Sequence, residues 1–206
     1  MSPKADIEFV GQLIDAFEAS ETLCCIGVAP VTPDGSGVPP EMQVGDVDEE
    51  GWVAWKVLPS TLNASEVEEL EKEFGVQFPP LFRAYLLARF HLFEQVHSRK
   101  YNQLIFMSDT PSRKSLAEIR ALIEGWQDLI DAGFVAFAEW GDSWGPMCFD
   151  VEQRAADGDC PIVWMDHELL IPLGEQNLRK RELVMPLVHP LYASCREFLL
   201  DVFTPS

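Results

Sequence analysis

The residues able to do chemistry in this chain fall into small groups, and none completes a reaction centre. Asp46, Asp48 and Glu50 alternate ahead of Gly51 in DVDEEGWVAWKV, the spacing of the early ligands of a calcium loop. The twelfth position is Val57, where that loop needs a bidentate carboxylate, so the stretch reads as an exposed acidic loop. Cys148, Cys160 and His167 match no standard zinc spacing and lack a fourth ligand. Asp142, Asp150, Asp166 and His167 are the nearest approach to a hydrolytic set, but nothing in the sequence fixes their mutual geometry. GDSWG superficially resembles the glycine-flanked serine of a nucleophile elbow, but a hairpin turn between two strands accounts for Gly141 and Gly145 without catalysis. No phosphate-cradling glycine loop and no HExxH occurs. The reading is no cofactor, no metal and no enzyme.

The balance of charge points to partners instead. The 206 residues carry a formal net charge of −19 at pH 7, which repels phosphate backbones and anionic lipid headgroups, so neither nucleic acid nor a membrane surface is the expected partner. Two blocks hold the excess: residues 1–73 have 16 acids and 3 bases, and residues 133–168 have 8 acids and 1 base. Each block is either a solvated surface or a face shaped for a cationic partner. The basic residues of the middle section (Arg83, Arg89, Arg99, Lys100, Arg113, Lys114, Arg120) alternate with apolar positions and read as a solvated helix face. No signal-peptide pattern and no apolar run of membrane length appears, so the expected location is cytoplasmic. The five cysteines lie largely in apolar runs and read as reduced, buried thiols.

The elements that must position these residues follow from periodicity. Ile7, Val10, Ile14 and Phe17 mark an amphipathic helix, TLCCIGVA a short strand, and the Pro, Gly and Asp residues up to Gly51 a long loop, followed by the β-rich GWVAWKVLP. Ser65 and Glu68 suggest a capping box for a helix ending at Gly75, and Pro79-Pro80 opens a second helix through LFRAYLLARF. NQLIFMS reads as a strand. A second capping box, Ser115 with Glu118, suggests a helix running to Gly133. FVAFAEW, MCFDV and PIVWMD are then strands joined by polar turns, and PLYASCREFLLDVF reads as a closing helix. Helices flanking an antiparallel sheet make the expected class α+β. Trp140 and Trp144 fall at a turn, where each either anchors an interface or folds back over the sheet.

Two stretches carry a specific likeness. SEVEELEKEFGVQFPPLFRAYLL resembles the helix, glycine, apolar-Pro, helix segment of the SUKH superfamily, with Glu71, Gly75, Pro79, Phe82 and Leu86 at its typical positions. FVAFAEWGDSWGPMCFDV and PIVWMDHE resemble its central hairpins through Gly141, Asp142, Cys148, Phe149, Asp150 and His167, and SCREFLLDVF its closing helix. The resemblance spans about residues 52–203, leaving 1–51 as a segment integrated with or appended to a 52–206 domain. The chain departs from it at ARFHLFEQ, where Asn-Gly or Gly-Gly is common. The superfamily includes Smi/Knr cell-wall regulators and bacterial immunity proteins, and the resemblance implies binding without catalysis. The expected partner is a cognate basic toxin, often a nuclease, whose active site is occluded; the alternatives are a regulatory scaffold or an acidic hydrolase. The expected contact surface comprises Glu139, Trp140, Asp142, Trp144, Asp150, Asp166 and Glu168, joined by Asp46, Asp48, Glu49 and Glu50, with Asp142, Trp144 and Asp150 at its centre. Asp150 has a second reading as a structural turn former.

Overall fold

A computed structural model describes residues 2–20, 28–31, 37–142 and 144–205, with the Val28 side chain outside the description. The expected strand TLCCIGVA lies outside it except for its end, as do Cys24 and Cys25. Helix α1 (Pro3–Glu18) starts on a Ser2 cap with Pro3 in its first turn and turns Val10, Ile14 and Phe17 inward. Strands β1 (Val28–Pro30) and β2 (Gln43–Val44) both pair with β3 (Trp52–Trp55), so strand pairing crosses the 51/52 boundary. Short β4 (Leu58–Pro59) pairs with β5 (Arg89–Phe90).

Between them lie α2 (Ala64–Phe74) and α3 (Pro80–Ala88). The capping box of α2 is formed by Asn63 and Glu66 rather than by Ser65 and Glu68: Asn63 Oδ1 accepts from the Ser65 and Glu66 amides, and the Glu66 carboxylate accepts from the Asn63 amide at 3.0 Å. Asparagine caps as well as serine, and two residues upstream it captured the helix start. Gly75 ends α2 in the left-handed conformation, φ 66°.

The main sheet is antiparallel and six-stranded, in the order β11-β10-β9-β8-β7-β6. Its strands are β6 (Gln95–Ser98), β7 (Gln103–Met107), β8 (Phe134–Trp140), β9 (Pro146–Asp150), β10 (Ile162–Met165) and β11 (Val188–Tyr192). The α+β expectation therefore holds. Two boundaries differ. Helix α4 (Ala117–Gly125) has no side-chain cap and stops well before Gly133, giving way to a 3₁₀ turn at Gln127–Leu129. The segment read as the start of the closing helix is strand β11, because Val188–Tyr192 pairs with β10; helix α8 (Cys195–Phe203) begins only where Ser194 caps it by accepting from the Glu197 amide.

The sheet separates two cores, as the alternation of strand residues requires. On one face Val135, Phe137, Phe149 and Ile162 join α1, α3 and α8 in a core rich in aromatic contacts; Phe137 stacks on Phe149 at 4.1 Å, and Phe17 meets Phe93 and Phe203 edge to face. On the other face Phe134, Ala136, Cys148, Val163 and Met165 are roofed by short helices α5 (His167–Leu170), α6 (Glu175–Leu178) and α7 (Arg181–Val184), which supply Leu170, Leu178 and Val184.

Candidate functional surface

The turn joining β8 to β9 is fixed from two sides. The Trp140 amide donates to the Gly145 carbonyl at 2.9 Å, and the Trp144 carbonyl accepts from the His167 amide at 3.0 Å, with His167 Nδ1 at 3.1 Å. Gly145 has φ +143° and lies so close to the β10 end that a Cβ would collide with the Met165 carbonyl and reach 2.8 Å from the His167 nitrogen. Trp144 and Gly145 of the hairpin turn are therefore held against the start of α5.

That edge gathers part of the expected surface. Trp144 is 52% exposed and lies over Gly141, and Asp142 is exposed beside it. Asp166 caps α5 by accepting from the Glu168 amide at 2.8 Å, with Glu168 exposed in the first helical turn. Glu139 is half-buried on β8, paired across to Phe106 and Pro146. Leu169 and Ile171, at 49% and 65% exposure, continue the edge as apolar residues next to the acids. An exposed tryptophan with aliphatic neighbours and an acidic rim is the anatomy of a protein contact surface.

Two expected members do not belong. Asp150 is wholly buried at the other end of β9, where its Oδ2 accepts from Arg181 at 2.7 Å and from Gln153 at 2.6 Å. Arg181 also donates to the Ala132 carbonyl and lies 4.7 Å from the Phe134 ring centre. Asp150 thus fixes α7 to the sheet, and the expectation of a contact residue is corrected: the side chain has no path to a partner. Trp140 is 6% exposed, and its ring continues an aromatic row, at 5.4 Å from Tyr101 and 6.2 Å from Trp164, which itself stacks on His189 at 4.9 Å. It is the floor of the edge and not an anchor. The row was readable only as alternation in PIVWMD, since His189 and Tyr101 enter from other strands and turns.

Asp46, Asp48, Glu49 and Glu50 are exposed in the β2–β3 turn of the separate three-stranded sheet. Asp48 uses its carboxylate locally, accepting from the Glu50 and Trp52 amides at 2.9 and 2.8 Å, a turn-forming role. The hydrolytic set is likewise dispersed, with Asp150 at one end of β9 and Asp142, Asp166 and His167 at the other. Among the described residues no group of three or more His, Cys, Asp and Glu could hold a metal. Cys148, Cys160 and Cys195 are free and buried; burial pushes all three thiols up, Cys160 to about 11, which suppresses the thiolate. Of the middle-section bases, Arg89 pairs with Asp15 at 2.6 Å, Lys100 with Glu197 at 2.8 Å and Arg120 with Glu73. No helix of the described residues is long and apolar enough to cross a membrane.

The six-stranded antiparallel sheet, the α2–α3 pair leading into it and the closing α8 define a SUKH-type α+β domain. The family model for SMI1/KNR4 (SUKH-1) matches residues 61–200, and the chain belongs to that family. A search of curated proteins finds no match.

Proposed function

We propose that this chain is a cytoplasmic, non-catalytic immunity protein that binds a cognate basic toxin and covers its active site. The observation that carries the reading is the edge bearing exposed Trp144, Leu169 and Ile171 among Asp142, Asp166 and Glu168. A net charge of −19 adds long-range attraction for a basic partner and repels nucleic acid that competes for the same cleft. Family membership supports a protein partner over a small substrate.

The test is co-expression with the toxin encoded beside this chain's gene, followed by association kinetics at low and high salt. Rescue of growth, together with association that slows steeply as salt rises, is the expected result. Failure to bind any adjacent toxin, with capture of endogenous regulatory proteins instead, turns the reading to a scaffold; turnover of a substrate that Asp142→Ala abolishes turns it to an enzyme.

A further inference from the structure

Helix α1 lies outside the matched residues 61–200, and where it crosses α3 it closes a cavity of about 500 Å³ that also borders α2 and the 154–158 turn. That volume is within the range of small-molecule sites. Ile7, Phe78, Ala84 and Leu87 give it apolar walls.

Two charged groups line it that form no ion pair among the described residues. Asp6, in the first turn of α1, is only 6% exposed, and its carboxylate has no hydrogen bond or ion pair among the described residues. Arg154 is half-buried and gives its guanidinium hydrogen bonds to two neutral carbonyls, Gly158 at 2.6 Å and Gln77, with no carboxylate in ion-pair range among the described residues. Arg83, the third charged side chain to consider, is already neutralised by Glu68 at 3.0 Å and Glu71 at 3.4 Å. The cavity therefore presents one free negative and one free positive group over an apolar floor.

We propose that this cavity binds a small zwitterion with an apolar body, an aliphatic or aromatic α-amino acid. The ammonium pairs with Asp6, the carboxylate with Arg154, and the side chain rests on Ile7, Phe78 and Leu87. A ligand of one charge leaves the other group unpaired, so recognition is selective for the zwitterion. The site is independent of the toxin-facing edge.

The experiment is calorimetric and thermal-shift titration of the whole chain with L-phenylalanine and L-leucine, against N-acetylphenylalanine and phenethylamine as single-charge probes. At least one amino acid binds, and each single-charge analogue of phenylalanine binds roughly tenfold or more weakly. Asp6→Asn abolishes the ligand-induced shift. Leu87→Trp, which fills the cavity from a half-buried position, also abolishes it. Arg154→Gln weakens binding; if it unfolds the protein, Asp6→Asn carries the test, since Asp6 gives up no side-chain bond. The proposal is overturned if neither amino acid binds or if binding survives Asp6→Asn.

Discussion

At the turn end of the β8–β9 hairpin, Asp142 and Trp144 stand in solvent, while at the far end of β9 Asp150 is wholly buried beneath Arg181. Both ends carry an aspartate near a strand terminus, and both lie close to a glycine that tolerates no side chain, Gly145 at one and Gly133 at the other. The difference comes from what the rest of the chain lays over each. Residues 178–187 return across the Asp150 end and bring a guanidinium with them, whereas α5 meets the turn end only along one side, through His167. An acid beneath a roof stabilises the fold by pairing; an acid in an uncovered turn is free to contact something else.

The strongest way to break this comparison is to remove the pair. Asp150→Ala leaves Arg181, whose side chain is 28% exposed, and the exposed Gln153 without their acceptor, and loss of one member of such a partly buried pair costs about 2–3 kcal/mol. Urea unfolding should show that loss, with a fall in Tm on the order of 10 °C for a chain of this size. A variant as stable as the parent would mean that Asp150 holds nothing. At the opposite end, Gly145→Ala forces the turn away from Met165 and places alanine at φ +143°, a penalty of about 2–3 kcal/mol. Amide exchange should then quicken at His167, whose amide donates to the Trp144 carbonyl; unchanged protection there would separate the turn from α5.

A third acid sharpens the contrast, because Asp109 is largely buried like Asp150 but has no ion pair among the described residues. Burial first, then the neighbouring Glu94 and Glu118 carboxylates, push it up from 3.8 to about 8. The folded chain thus favours the protonated acid, so its contribution to stability is full below the unfolded value and is lost as pH rises through the window towards 8. His91, wholly buried, runs the other way: burial lowers it to about 3, so its contribution is present above about 6.5 and is lost as pH falls towards 3. The trends oppose between about pH 4 and 6.5, leaving Asp109 alone to cost about 2 kcal/mol between about pH 6.5 and 8. Asp109→Asn should remove that decline, read as the difference in unfolding free energy at those two pH values; parallel pH profiles would show that Asp109 ionises as freely folded as unfolded.

The sequence carried the four central strands β7 to β10 and the long helices, because their apolar periods are local, but not the edge strands β6 and β11. It carried roofing poorly. Asp142 and Asp150 sit in similar local contexts, and only the return of Arg181, 31 positions beyond Asp150, separates them. Trp140 and Trp144 are four residues apart at one turn, yet a fixed ladder pairing against Ile105 turns the first under the aromatic row. Helices α5 to α7 are four residues each, too short to leave a periodic stripe, so the layer over the second core left no readable signal. Tyr192 fits the stripe of α8 by spacing, but its backbone belongs to β11, because the edge of β10 offers hydrogen bonds that an extra helical turn would forgo.

The smallest effects on stability belong to the exposed edge. Asp142→Lys with Glu168→Lys alters two exposed side chains for which no ion pair is seen among the described residues, so unfolding free energy should stay within about 0.5 kcal/mol of the parent. Trp144→Ala removes a ring that is half in solvent and should cost the fold about 1 kcal/mol or less. Against a basic toxin the order reverses. The double charge reversal should slow association at low salt by about tenfold or more while leaving dissociation nearly unchanged, because long-range attraction governs encounter. Trp144→Ala should instead speed dissociation by roughly thirtyfold, the loss expected when an aromatic anchor at the centre of an interface is truncated. If both variants bind with parental kinetics, the exposed edge is solvent-facing surface and the contact lies elsewhere; if only the tryptophan matters, the acids keep the chain soluble and the apolar edge alone meets the partner.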